Sequence, residues 1–210
     1  MPANYKNKIL VIFAHPALQR SRINIELCQT IKDIDGVTFR DLYEIYPDFL
    51  IDVIEEQRLL VEHDIVILQH PFYWYSCPAI LKEWIDLVLE YGFAYGHEGI
   101  ALRGKSLMTA ITAGGSEDSY KEDGVHYYHV RDLLRTFERT AALCGMNYLP
   151  PFVVHHTLEL LNSEDIAIYS DLYKKVIISL MDLKDIDINT MNKFDYMNDY
   201  ILDQFESWSA

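Results

Sequence analysis

The chain has 210 residues, half of them apolar and 13% aromatic, which suits one α/β domain with a sizeable core and excludes a disordered chain. Its formal charge of −14 argues against a nucleic-acid partner, which needs a basic surface, and against direct binding to anionic lipid. A small anion remains admissible, because backbone N–H groups at a helix N-terminus hold it without net positive charge.

The elements follow in chain order. Lys8 to Ala14 (KILVIFA) is a short, nearly continuous apolar run and the first strand. Ser21 is placed to cap a helix over Ile23 to Asp33. Val37 to Leu42 alternates, as an edge strand does, and Asp52 to Glu62 carries Val53, Leu59 and Leu60 between charges. Asp64 to Gln69 (DIVILQ) is the next buried strand. Ala79 to Tyr91 has Ile80, Trp84, Leu87, Val88 and Tyr91 at helical spacing, and Ser106 to Thr112 (SLMTAIT) is again a strand. A helix from Val130 to Leu143 ends before Gly145, strand Phe152 to His155 (FVVH) follows, and Ser163 opens a helix through about Leu183. This alternation predicts a doubly wound, five-stranded parallel sheet of order 2-1-3-4-5 with helices on both faces. Residues 1–184 are expected to form this domain and 185–210 a C-terminal amphipathic helical extension. In the extension Phe194, Met197, Ile201, Phe205 and Trp208 recur every three or four positions. Such a stripe packs on its own domain, across a dimer, or against a partner.

Sheets of this kind bind ligands beyond the carboxyl ends of their strands. Three loops meet that condition. After the first strand, Ser21, Arg22, Ile23 and Asn24 sit where a helix begins, so hydroxyl, amide and free N–H groups there could bind a terminal phosphate; an ordinary N-cap has the same residues. The loop has neither a Gly-Lys-Ser/Thr ending nor G-x-G-x-x-G. After the third strand, Phe72-Tyr73-Trp74-Tyr75 lies between Pro71 and Pro78, and offers a flat heteroaromatic ligand a wall or the sheet end a plug. After the fourth, Thr112-Ala113-Gly114-Gly115 either lets backbone N–H groups approach a ligand or makes a tight turn. Together these supply a phosphate holder, an aromatic wall and a close-approach loop, the needs of a flavin mononucleotide.

The histidines are scattered over different elements, without C-x-x-C or H-E-x-x-H, so no metal is expected. Three widely spaced cysteines (Cys28, Cys77, Cys144) are not a disulfide framework and fit a reducing compartment. The polar stretch Met1 to Lys8 lacks a signal-peptide core, and no apolar run reaches the ~18 residues that span a bilayer. A cytoplasmic location is therefore expected.

Several stretches are distinctive: AHP (Ala14 to Pro16), S-x-x-N (Ser21 to Asn24), YPDFxID (Tyr46 to Asp52), QHPxxWYSxPxxLKxWID (Gln69 to Asp86), AYGHxGxALxGK (Ala94 to Lys105), T-x-GG (Thr112 to Gly115) and CGxNxLPPF (Cys144 to Phe152). On these the chain resembles the flavodoxin-like NAD(P)H:quinone oxidoreductase family, and within it the ancillary flavoproteins of glutathione-regulated potassium-efflux systems. The resemblance implies bound FMN, with FAD the alternative, and NAD(P)H as co-substrate. His15 and Ser21 through Asn24 would hold the phosphate end, Phe72 through Tyr75 would wall the ring and ribityl chain, and Thr112, Ala113, Gly114 and Gly115 would meet the ring's polar edge. Where the family commonly has two threonines before the glycine pair, this chain has Thr112-Ala113. The resemblance further implies a homodimer with the site at its interface. Trp74, Tyr75 and the partner subunit's Tyr95, stacking above the ring, would shape the site of the acceptor, a quinone-type small molecule. Tyr120 and His126 keep the family's six-residue spacing of Tyr and His and would stabilise negative charge formed at the ring edge; the same segment, 116–129, also reads as a polar surface lid. A membrane potassium/proton antiporter is the implied protein partner, which would bring the chain to the inner face of the membrane, either as an enzyme or as a regulatory subunit.

Overall fold

The computed structural model describes residues 6–160, 163–183 and 187–207. Strand β1 (Ile9–Phe13) is wholly buried and lies between β2 (Val37–Asp41) and β3 (Ile65–Pro71). Strand β4 (Ser106–Thr112) follows β3, and every pairing is parallel, giving the order β2-β1-β3-β4-β5. The predicted order is therefore the observed one, with one addition. The last position is filled by two short strands, β5 (Asn147–Tyr148) and β6 (Phe152–Val154), both paired with β4. Pro150 and Pro151 between them have no N–H to give the ladder, so the strand is interrupted there.

Because successive strand residues face opposite sides, β1 feeds two cores. Leu10 and Ile12 pack with Leu59, Leu60, Trp84 and Phe137 under helices α3 (Val53–Glu62), α4 (Ala79–Val88) and α6 (Arg135–Leu143). Ile9 and Val11 pack with Leu27, Tyr173, Ile177 and Ile201 under α1 (Arg22–Ile31), α7 (Ser163–Asp182) and α9 (Met197–Ser207). Each such side chain taken from water contributes about 1.5–3 kcal/mol, so both faces are firmly held.

Most boundaries fall within two residues of expectation, as for α1 and β3, and three places show a difference with a clear local cause. The edge strand stops at Asp41, whose carboxylate accepts the N–H groups of Tyr43 and Glu44 and so starts a short helix α2 (Leu42–Ile45) that periodicity did not reveal. Helix α4 stops at Val88 rather than Tyr91; Leu89 leaves helical ψ, and Tyr91 bridges to Tyr95 around Gly92 at φ +87°. The helix expected from Val130 breaks at Leu134 (ψ 3°) into α5 (Val130–Leu133) and α6.

A buried carboxylate, Glu56 of α3, ties the first core together. It accepts from Arg40 of β2, from the Tyr46 hydroxyl at 2.8 Å and from the Trp84 indole at 2.9 Å. Burial and this carboxylate push the Tyr46 phenol up to about 12.

The C-terminal segment is stitched onto the sheet. Asn198 receives the Val153 N–H and donates to the Val153 carbonyl, filling the free edge of β6 like a strand partner. Met197 and Ile201 are buried in the second core, Phe194 packs against it, and the short helix α8 (Ile188–Met191) precedes them. Asp185, Trp208 and the side chain of Phe205 lie outside the described residues. Among those described, no helix is long and apolar enough to cross a membrane.

Candidate functional site

Parallel strands bring the loops after β1, β3, β4 and β6 to one edge of the sheet. They enclose a cavity of about 640 Å³ lined by residues that include His15, Ser21, Ile23, Phe72, Tyr73 and Gly114, a volume within the range of small-molecule and cofactor sites. A comparable groove of about 690 Å³ lies between α7 and α9, walled by Ile178, Leu183, Tyr200 and Ile201. It is remote from the strand ends and lacks their converging buried polar groups, so chemistry favours the first.

At one end of the cavity, helix α1 begins. Ser21 caps it, accepting the Asn24 N–H at 3.3 Å. The Asn24 side chain is buried; its Nδ2 donates to Ser21 Oγ at 2.9 Å and to Thr112 Oγ1 at 2.9 Å. One amide therefore links the loop after β1 to the end of β4. Its Oδ1 has no partner, and a buried unpaired amide oxygen costs about 1–3 kcal/mol unless a ligand or water meets it. The Ile23 N–H, in the first turn of α1, finds no acceptor among the described residues, as expected of a helix start. Arg20 and Arg22 also line this end. His15 is nearly buried; burial lowers its pKa, and its Nδ1 accepts the Ala17 N–H at 3.1 Å. The ring is thus neutral, with its proton on Nε2.

The middle of the cavity is glycine and aromatic. The Ala113 N–H is spent on the Val154 carbonyl at 2.8 Å, and its side chain is buried, so Ala113 continues the sheet. The amides of Gly114 and Gly115 have no acceptor among the described residues. A Cβ on Gly115 would lie 2.6 Å from Ser119 Oγ and 3.1 Å from both His126 Nε2 and Tyr120 Cε2. Glycine is therefore what lets the following segment fold back over this loop.

The far end is a cluster of rings. Tyr73 to Ser76 closes a tight turn through a 3.0 Å backbone bond, with Trp74 and Tyr75 both at positive φ (51° and 61°). Two non-glycine residues in that region cost roughly 1–3 kcal/mol each, strain that concentrates at functional sites. Trp74 is 92% exposed at the tip. The segment after the glycine pair forms a 3-10 turn (Glu117–Tyr120), and the His126 N–H returns to the Ser119 carbonyl at 2.9 Å. Tyr120 is buried, stacked on His126 with centroids 4.2 Å apart, and the Tyr75 hydroxyl lies 3.2 Å from His126 Nδ1. Phe72 packs on Tyr75 and Tyr120. Behind Tyr120, at 5.8 Å, is His155, buried with no well-formed hydrogen bond to either ring nitrogen. Desolvation pushes its pKa to about 4, which the Gly115 backbone only partly offsets.

The structure thus gathers thirteen of the sequence-predicted positions, His15, Ser21 to Asn24, Phe72 to Tyr75 and Thr112 to Gly115, along one edge, with Tyr120 and His126 folded over them. Tyr95 is elsewhere in this chain, edge-on to Tyr91 and not lining the cavity. Reasoning from sequence missed Thr157, Leu158 and Leu160, which close the cavity after β6; their position beyond a strand's carboxyl end was the available signal. Among the described residues no group of three or more His, Cys, Asp or Glu is placed to hold a metal ion.

A doubly wound sheet of this order, with its cavity at the strand ends, is a flavodoxin-like protein, and residues 7–195 match the family described as flavodoxin-like fold. The chain belongs to that family. It is 51% identical over 148 residues to the glutathione-regulated potassium-efflux system ancillary protein KefG of Pectobacterium carotovorum subsp. carotovorum, covering 70% of this chain and 81% of that protein. Two solved structures are also similar. One is general stress protein 14 of Treponema denticola in complex with FMN (37% identity, TM-score 0.71, 79% of this chain and 99% of that one). The other is an NADPH-quinone reductase from P. pentosaceus (33% identity, TM-score 0.73, 80% and 96%). Members of the resembled family, both potassium-efflux ancillary proteins and quinone reductases, are thus among the proteins this chain is similar to.

Proposed function

We propose that this chain is an FMN-dependent oxidoreductase that uses NAD(P)H to reduce a quinone-type acceptor. The observation that carries the proposal is one cavity lined by the start of α1 at Ser21 to Asn24, by Gly114 and by the rings of Phe72 and Tyr73, where the Ile23 and Gly114 N–H groups have no acceptor among the described residues. The residues present fit FMN: the orphan Asn24 Oδ1 and the open helix start suit its polar tail, and Phe72, Tyr73 and Gly114 line the same cavity beside them and suit a flat ring. When bound, FMN supplies two-electron hydride exchange between NAD(P)H and the acceptor, in ping-pong fashion.

This chain's residues do the rest. The Ser21 hydroxyl, the Ile23 N–H and the α1 dipole hold the phosphate. Phe72 and Tyr73 wall the ring, and Gly114 and Gly115 donate to its polar edge. His126, whose Nε2 lies beside Gly115, would with Tyr120 stabilise negative charge at that edge by donating a hydrogen bond or a proton. The exposed Trp74 and the partner subunit's Tyr95 shape the acceptor pocket of a homodimer. FAD is the less favoured alternative. Purified protein supplied with FMN is expected to oxidise NAD(P)H steadily in the presence of a benzoquinone. A yellow, flavin-loaded protein without turnover would overturn this reading.

The similarity to KefG favours a second reading, in which the chain regulates a potassium/proton antiporter as a cytoplasmic flavin-binding subunit at the inner face of the membrane. Both roles are compatible in one protein. Association with antiporter-bearing vesicles, present with FMN and independent of turnover, is the expected sign of the second.

A further inference from the structure

We propose that Tyr75 is a positioning residue: its hydroxyl fixes the orientation and tautomer of His126, so that the imidazole presents a protonated Nε2 to the Gly114–Gly115 edge. This rests on the reading of that edge as the place where negative charge forms. The geometry is a chain of three contacts. Tyr75 Oη lies 3.2 Å from His126 Nδ1. The opposite nitrogen, Nε2, faces Gly115, 3.1 Å from where a Cβ would stand there. Tyr120 stacks on the imidazole face at 4.2 Å and so limits rotation about the ring's axis.

A neutral imidazole has one donor and one acceptor nitrogen, and a phenol can bond to either; because the phenol is the stronger acid and the bare imidazole nitrogen the stronger base, the pair favours the phenol as donor. A phenol O–H donating to Nδ1 leaves the proton on Nε2, the nitrogen beside the glycine loop. The reverse tautomer would place a bare lone pair there and repel developing negative charge. Positive φ at both Trp74 and Tyr75, closed by the Tyr73–Ser76 bond, aims this hydroxyl across from the loop after β3 to the segment after β4. The strain of that turn thereby acquires a purpose that wall-building alone does not require, since a phenylalanine would wall a ring as well. The arrangement matches the way metal-ligating histidines are oriented by a partner on their second nitrogen.

Tyr75→Phe keeps the ring and removes only the hydroxyl. In FMN-supplied protein, long-range proton–nitrogen NMR of His126 is expected to show the Nε2–H tautomer in the wild type and a shift toward Nδ1–H in Tyr75→Phe. Turnover is expected to fall about tenfold with the NAD(P)H KM within about twofold, the split of a group acting in the transition state. In a His126→Phe background the same change should cost nothing further. An unchanged tautomer, or a full Tyr75→Phe cost in that background, would overturn the proposal. Absence of turnover in the wild type would overturn the function reading instead, and the NMR comparison would still decide the role of Tyr75.

Discussion

The two ends of the strand-edge cavity are built differently. At the α1 end, His15, Asn24 and Thr112 are buried, and Asn24 joins Thr112 by a 2.9 Å hydrogen bond across separate loops while His15 is held within its own loop by the Ala17 N–H. At the ring end, Trp74 and Tyr75 sit in strained backbone and Val125 is 78% exposed, while the contacts are mainly between aromatic faces. The first end is prepared to receive a fixed, small, charged group. The second is a surface left open to something large and exchangeable. A protein that keeps one ligand resident and lets others come and go needs this division, because preorganisation lowers the cost of binding only for the part that stays.

The largest effect should come from the open end. His126→Phe is expected to lower turnover with NAD(P)H and benzoquinone by about 10²–10³-fold, the usual worth of a proton-holding group, while FMN content stays unchanged. Equal loss of both would merge the two ends into one functional unit and break the comparison.

Acid should act on the fold itself, through one histidine behind the ring end and one in the core under α6. His70 and His155 have pKa values near 4 because both are buried. The unfolded chain takes up these protons from about pH 6.5 downward, so it binds more protons than the fold between 6.5 and 4. Stability is thus complete above that window and falls as pH drops through it, by on the order of 3 kcal/mol for each histidine. Replacing His155 with Leu should flatten the slope of denaturation midpoint against pH by about one proton's worth. An unchanged slope would remove His155 from the acid response.

A smaller change is expected at the prepared end. Asn24→Ala removes the link between Ser21 and Thr112 and should weaken FMN about 30-fold by titration, at an unaltered KM for the quinone. Smallest is Gly115→Ala. Its Cβ would meet Ser119 Oγ at 2.6 Å, a hydroxyl that can rotate away, so we expect about tenfold lower turnover rather than unfolding. Full activity in this variant would mean that the 116–129 segment need not approach the glycine loop.

Much of this was legible in the sequence for identifiable reasons. Continuous apolar strands such as KILVIFA and SLMTAIT are the signature of a sheet buried on both faces, and sheet order then placed the loops. The same pattern gave the ring wall and the glycine pair. The interrupted last strand was not legible, because Asn147–Tyr148 is half exposed and two residues long. Helix α2 was hidden because it depends on a single cap, Asp41. Nor does local pattern reveal that Tyr120 is buried or that Asn24 reaches Thr112, 88 residues away, since both depend on tertiary contact.

The division of the cavity is tested most directly by comparing FMN with riboflavin, its analogue without the phosphate, in a fluorescence titration of flavin-free protein. The account predicts that FMN binds at least about 100-fold more tightly, because the α1 end contributes only when a charged group fills it. Equal affinities would contradict it and assign the prepared end to some other ligand.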